Sequence, residues 1–338
     1  MSTPTRTPRA ALDLRVVREV LAAHLTPGPA RLVVVAMSRD ANPKAVVLAI
    51  PHGHDTPTVA AKVALTPTAA DAVRTEAEAL VRLVALDPGR VGGTVPRCLA
   101  VHDSPAATVL VTTVARGRPM TVGYHSWRHT GRRRLVAADF TAAAEWLARL
   151  HAIRVPAVPE LALAERIAAR WPNDDGGRRA AEVCLRAREE VGPLALGRVV
   201  HGDFWCGNLL GSKGIVTGVI DWEHTRFGGS GLWDRVRFAL AYTLYLDRHT
   251  RPGTTVNGHP GLTAGTWGEP VRSLLQSPSW YADVVASFIE GSSSTGERHP
   301  APGWWRAALL VGLGEVAALS DHEGFAREHA LLLSEVGS

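Results

Sequence analysis

Three polar residues near the middle of the chain, Asp203, Asn208 and Asp221, restrict its possible folds more than anything else in it. The first two lie in His201-Gly202-Asp203-Phe204-Trp205-Cys206-Gly207-Asn208-Leu209-Leu210, and the third in Val219-Ile220-Asp221-Trp222-Glu223. An Asp followed five positions later by Asn is, taken alone, an ordinary loop with a capping Asn. A second Asp behind an apolar Val-Ile pair changes the weighting, because together they are the set needed to hold a divalent metal on nucleotide phosphates beside a hydroxyl acceptor. The run Gly214 to Ile220 reads as a strand or hairpin, which would bring Asp221 back beside Asn208. Phosphoryl transfer asks for positioning and charge neutralisation, so each residue has a definable task. Asp203 orients the attacking hydroxyl or accepts its proton, Asn208 offers a neutral oxygen to magnesium, and Asp221 an anionic one. Glu223, two residues further, is placed to join the metal site or to meet a cationic acceptor.

The chain before these islands alternates β-rich runs with helical periodicity. Leu12, Val16, Val17, Val20 and Leu21 recur at helical spacing, and Thr26-Pro27-Gly28-Pro29 ends that segment. Runs at 31–37 and 45–50 form a hairpin through Asp40, Asn42 and Pro43, and a third run covers 58–64. A helix from about Thr68 to Leu86 carries an apolar stripe of Val73, Ala77, Leu80, Leu83 and Val84, and strands at 97–102 and 108–114 follow. This pattern predicts a small α+β lobe with an antiparallel sheet. Gly117-Arg118-Pro119 breaks it, dividing the chain at 1–115 and 116–338. Helices dominate beyond, near 140–153, 161–171, 178–191, 236–246, 281–289 and 304–319. Residues 251–270 read as a long surface loop and Gly291 to Gly296 as a flexible linker.

With 338 residues, 46% of them hydrophobic and 20% charged, the chain has enough apolar material for about two globular domains. Cys98, Cys184 and Cys206 are scattered without a CxxC pair, which argues against a disulfide framework and for a reducing cytoplasm. Neither the first residues nor the interrupted apolar run from Trp304 to Leu319 reads as a signal or a membrane span. The net charge of +5 is unevenly spread. Residues 200–338 carry 10 basic against 14 acidic side chains, which argues against nucleic acid and favours a cationic or polar small acceptor. Arg128, Arg132, Arg133 and Arg134 read as a solvated helix start.

At these residues the chain resembles the aminoglycoside phosphotransferase and choline kinase family, relatives of the protein kinases. His201, Asp203 and Asn208 meet the HxDxxxxN pattern, and Asp221-Trp222-Glu223 is similar to the Asp-aromatic-Glu of choline-type kinases. The resemblance implies a bilobal protein-kinase-like fold, with a small N-terminal antiparallel sheet lobe that binds nucleotide. The larger, mostly helical C-terminal lobe would carry catalysis and the acceptor. It matches Lys62 to the lysine on the nucleotide phosphates and Glu76, rather than Glu78, to its helix partner. It also sets the backbone near Thr113 and Ala115 against the adenine edge, and Asp234 and His201 as braces of the catalytic loop. The turn from Ser38 to Lys44 has no glycine, so a Gly-rich phosphate cover is missing. The implied activity is transfer of the γ-phosphate of ATP or GTP, with Mg2+, to a hydroxyl of a small molecule. Acceptors in this class include an antibiotic or its precursor, in resistance or biosynthesis, an amino alcohol and a sugar. The protein is expected to be a cytoplasmic monomer or homodimer without nucleic-acid or membrane partners. The rival reading is a catalytically idle kinase-like protein that binds nucleotide and regulates.

Overall fold

A computed structural model describes residues 12–25, 28–38, 42–87, 89, 91, 93–104, 107–291 and 303–337. Arg39, Asp40 and Ala41 of the first hairpin turn, and Ser292 to Gly296 of the expected linker, lie outside these described residues. The chain folds as two units. One runs to Arg116 and takes in Thr217–Thr225, and the other comprises Gly117–Val216 and Arg226–Ser338.

The first unit begins with helix α1 (Leu14–Ala22), capped by the Asp13 carboxylate, which accepts from the Arg15 N–H at 2.8 Å. Strands β1 (Ala30–Met37), β2 (Lys44–Pro51) and β3 (Val59–Ala64) precede helix α2 (Pro67–Leu86), and β4 (Cys98–Asp103) and β5 (Thr108–Thr113) follow it. The five strands form one antiparallel sheet in the order β1-β2-β3-β5-β4. The period of two divides its faces. Ala45, Val47, Ala49, Val59, Ala61, Val63, Val109 and Val111 join Val17 and Leu21 of α1 in one apolar cluster. The alternate residues, among them Lys44 and Lys62, therefore point to the other face. Helix α2 starts where the sequence dictates, with Thr66 Oγ1 accepting from the Ala69 N–H at 3.2 Å and Pro67 in the first turn. Its buried stripe includes Val73, Glu76, Leu80 and Leu83, while Glu78 is exposed.

The second unit opens with strand β6 (Arg118–Pro119) and helices α3 (Met120–Tyr124), α4 (Arg133–Leu150), α5 (Leu163–Arg170) and α6 (Asp175–Val191). Short strands β7 (Arg198–Val200), β8 (Leu209–Ser212), β9 (Ile215–Val219) and β10 (Arg226–Gly229) flank the two polar islands. β7 pairs with β10 and β6 with β8, both antiparallel, and β9 carries the chain toward Thr217–Thr225. Helices α7 (Leu232–Leu244), α8 (Glu269–Gln276), α9 (Trp280–Glu290), α10 (Trp305–Leu319) and α11 (Glu323–Val336) complete it. α10 packs against α5, α6, α7, α9 and α11, which is why its sequence is apolar nearly all round. Among the described residues no helix is long and apolar enough to cross a membrane.

Two expectations need correction. The segment 251–270 is anchored rather than merely superficial, because Val256, His259, Leu262 and Ala264 are buried and His259 Nε2 lies 2.9 Å from the Thr130 carbonyl oxygen. Its last two residues already belong to α8. The helix expected at 140–153 begins seven residues earlier, at Arg133, and the exposed Arg128, Arg132, Arg133 and Arg134 lie at and just before its start.

Candidate functional site

Each unit gathers its own share of the polar residues. In the first, Lys62 Nζ hydrogen-bonds at once to the carboxylates of Glu76 and Asp221. Strand alternation supplies the lysine and the buried stripe of α2 supplies Glu76, only 4% exposed. Burial works to lower the Lys62 pKa, but the two carboxylates outweigh it and hold it well above the ordinary lysine value. For Glu76, burial raises the carboxyl above its ordinary value, Asp221 and Glu223 add to this, and Lys62 pulls it back only in part. The bonds Glu76 accepts, from Lys62 and from the Trp222 backbone N–H at 3.4 Å, are those of a carboxylate, so the geometry selects the charged pair. Asp221 has φ 66, a left-handed conformation that costs a non-glycine residue about 1–3 kcal/mol and clusters at functional sites. Trp222, fully buried beside it, anchors the segment through its indole N–H, which donates to the Val219 carbonyl at 2.9 Å.

The Glu223 side chain is largely buried. Its carboxylate takes a hydrogen bond from Lys44 Nζ, a residue that sequence reasoning passed over. Lys44 lies opposite Ala64 in the β2–β3 register and Lys62 opposite Val46, so both lysines project from the same face of the sheet. A signal was available. The chain has three lysines against 34 arginines, and a chain that otherwise uses arginine for its cations keeps Lys44 and Lys62 on adjacent strands. At the expected hinge, the Thr113 N–H is already taken by the Arg97 carbonyl at 3.0 Å. Ala115 follows the end of β5 and has no backbone hydrogen bond among the described residues, so its N–H and C=O are the available pair.

In the second unit, Phe204 is fully buried and stacked on Trp146, with ring centroids 5.5 Å apart, which pins the loop and turns Asp203 outward. His201, also buried, accepts the Asp203 backbone N–H on Nδ1 at 3.2 Å. Asp234, with no exposed surface, accepts the His201 N–H at 2.9 Å and the Gly202 N–H at 3.0 Å, and lies 3.0 Å from His151 Nε2. Gly202 can turn its N–H this way because it has φ 82, a conformation natural to glycine. Burial pushes the Asp234 carboxyl up, but His151, His201 and the backbone donors bring it below its usual value.

The Asp203 carboxylate is held on both oxygens. Asn208 Nδ2 donates to Oδ2 at 2.9 Å, while Arg237 donates to Oδ1 from Nε at 3.1 Å and Nη2 at 2.7 Å. Burial acts against the Arg237 charge, and Asp203 more than compensates, so its pKa is raised. Arg237 was missed because it lies 34 residues from its partner. Its position three residues after Asp234, on the same face of α7, is the trace it leaves in the sequence. A larger cavity of about 530 Å³ in this unit holds the Arg188–Glu160 and Arg226–Glu315 pairs but none of this cluster.

Among the described residues no group of three or more His, Cys, Asp or Glu side chains is arranged to hold a metal ion. The donors present are hard oxygens. Asn208 commits its amide nitrogen to Asp203, to the carbonyl and to the carboxylate, which leaves its amide oxygen for a cation. The Asp221 side chain is 41% exposed. Each by itself is the kind of hard donor that suits magnesium, a cation that keeps several waters and takes substrate phosphates as ligands.

The family model that matches is that of the phosphotransferase enzyme family, over residues 47–229. The chain belongs to this family. Among similar solved structures is an aminoglycoside-3'-phosphotransferase of type VIII, 19% identical, with a TM-score of 0.52 over 88% of this chain and 97% of that one. An aminoglycoside phosphotransferase from Streptomyces rimosus, bound to ADP and streptomycin, is 15% identical with a TM-score of 0.51 over 89% and 98%. A spectinomycin phosphotransferase bound to ADP and spectinomycin is 12% identical with a TM-score of 0.50 over 96% and 97%. At these identities they establish the fold, a small antiparallel-sheet lobe followed by a larger helical one. No curated protein matches the chain.

Proposed function

We propose that this phosphotransferase is a small-molecule kinase, moving the γ-phosphoryl group of a nucleoside triphosphate to an acceptor hydroxyl. The observation that carries the reading is Lys62 bonded simultaneously to Glu76 and Asp221. That arrangement suits a lysine kept charged and oriented for phosphate oxygens. The first unit is assigned the nucleotide, with the adenine edge against the backbone of Ala115, and the second unit the acceptor. ADP in the streptomycin and spectinomycin phosphotransferase structures favours ATP as donor. An antibiotic or a related polyhydroxylated compound is the first acceptor class to test.

In the mechanism, Lys62 exchanges its bond to Asp221 for the α- and β-phosphates while Glu76 keeps its ammonium in place. Asp221, once released, and the Asn208 amide oxygen would hold Mg2+, which neutralises charge on the phosphates. Asp203 accepts a hydrogen bond from the attacking hydroxyl and takes its proton late in the transfer. Arg237 and Asn208 hold the Asp203 carboxylate fixed in direction, one on each oxygen.

The test is thermal shift with magnesium and ATP or GTP, followed by an acceptor panel read by mass gain of one phosphate. Asp203→Ala is expected to lower turnover by about 10³-fold or more while nucleotide binding persists. Asp221→Ala is expected to weaken magnesium-nucleotide binding itself. Nucleotide binding without transfer to any acceptor would identify an idle kinase-like protein instead. Equal loss of nucleotide binding in both variants would contradict the separate roles.

A further inference from the structure

A cavity of about 180 Å³ in the second unit is lined by Asp203, Trp205, Arg237, Tyr245, Phe325 and His329, with aliphatic residues of α7 between them. His329, on α11, is fully buried. Its Nδ1 lies 2.8 Å from the Phe325 carbonyl oxygen, a contact that requires the proton on Nδ1. Nε2, at the other edge of the ring, therefore carries a lone pair. Among the described residues it is the buried side-chain polar atom without a hydrogen-bond partner. The ring is fixed edge-on by Phe325 and Trp267, at centroid distances of 4.2 and 5.1 Å. Burial pushes the His329 pKa down to about 4, so Nε2 stays an acceptor at neutral pH.

Buried acceptors normally have donors, and an orphaned acceptor on a residue that lines a cavity marks where a ligand can supply one. The charges on the wall narrow the ligand further. Asp203 and Arg237 neutralise each other, and no other acidic side chain lines the cavity to receive an ammonium group. Trp205, Tyr245 and Phe325 offer apolar surface suited to the C–H face of a ring.

We infer that His329 determines acceptor specificity: its Nε2 accepts a hydrogen bond from a hydroxyl of an uncharged, polyhydroxylated part of the acceptor, seated beside Asp203. The inference rests on the reading of Asp203 as the residue that meets the acceptor hydroxyl. It adds that the acceptor presents a second hydroxyl, and that amino groups on the acceptor lie outside this pocket.

The full chain with 15N-labelled histidine tests it without turnover. The His329 ring is expected to show a protonated Nδ1 and an unprotonated Nε2 at neutral pH, with the Nε2 resonance moving on addition of myo-inositol or sucrose but not of choline. A protonated Nε2, no movement with either polyol, or movement with choline alone would each overturn the assignment. In turnover, with the best acceptor of the panel, His329→Phe should raise acceptor KM about tenfold or more and leave nucleotide KM within about twofold. His329→Gln, which restores an acceptor oxygen, should recover most of the loss. A parallel rise in both KM values, or no rise in either, would reduce His329 to packing. Asp203→Asn separates the two readings. It should abolish transfer yet leave the polyol-induced shift, whereas undiminished transfer would remove Asp203 and leave the His329 result standing.

Discussion

Lys62 illustrates how one residue joins stability to function. Because it compensates the buried Glu76, its removal leaves a carboxylate without its cation, at a cost to folding of about 3 kcal/mol. Lys62→Ala should therefore both destabilise the protein in urea and impair nucleotide use. The double variant Lys62→Ala/Glu76→Gln should recover most of the stability and none of the turnover, and recovery of both would show the pair to be structural only. His329 makes a separate prediction for acid stability. Its pKa is about 4 when folded and near 6.5 otherwise, and Arg237, beside the same cavity, opposes a second positive charge. Between these values the unfolded chain binds the extra proton, so stability is full above about pH 6.5 and declines by up to about 3 kcal/mol as pH falls toward 4. Urea midpoints across that range should fall for the wild type and flatten in His329→Phe. An identical slope in both would assign the effect elsewhere.

At the scale of elements, α2 shows local signals and tertiary packing agreeing. Thr66 and Pro67 start it, and Val73, Leu80 and Leu83 set the face that buries Glu76. Thr66→Ala should lower stability by about 1 kcal/mol through the lost cap, measured by thermal unfolding. A change below a few tenths would mean that packing alone holds this end. Helices α8 and α11 were not legible in the same way. α11 buries Ala326, His329, Ala330, Leu332 and Leu333, a stripe at helical spacing carried partly by small and polar residues, so its hydrophobic signal is weak. α8 is eight residues long and emerges from a Gly- and Thr-rich stretch, although Pro270 in its first turn was a start signal. Strands β7 and β10 escaped notice because three- and four-residue strands have too few positions for alternation to declare itself.

For the whole molecule, chain order and spatial grouping part company at Thr217–Thr225, which belongs with the residues before Gly117. That segment is tied into the first unit by the Val219 N–H on the Thr94 carbonyl, Thr217 Oγ1 on the Arg116 carbonyl, and the pairs of Asp221 with Lys62 and Glu223 with Lys44. A fragment ending at Arg116 should thus melt broadly or not fold, lacking the fully buried Trp222, while the same fragment extended through a flexible linker by 217–225 should fold cooperatively. Equal cooperativity of the two fragments, seen by circular dichroism, would refute this. The sequence alone determined an antiparallel-sheet lobe followed by helices and picked out Asp203, Asn208 and Asp221, because alternation, helical period and motif spacing are properties of neighbours along the chain, while Lys62 and Glu76 were named through the resemblance to the family. Lys44 against Glu223, Arg237 against Asp203 and the orphaned nitrogen of His329 were decided only by the tertiary structure. Each pairing spans a separation at which no local periodicity operates, and each depends on which side chains burial leaves facing one another.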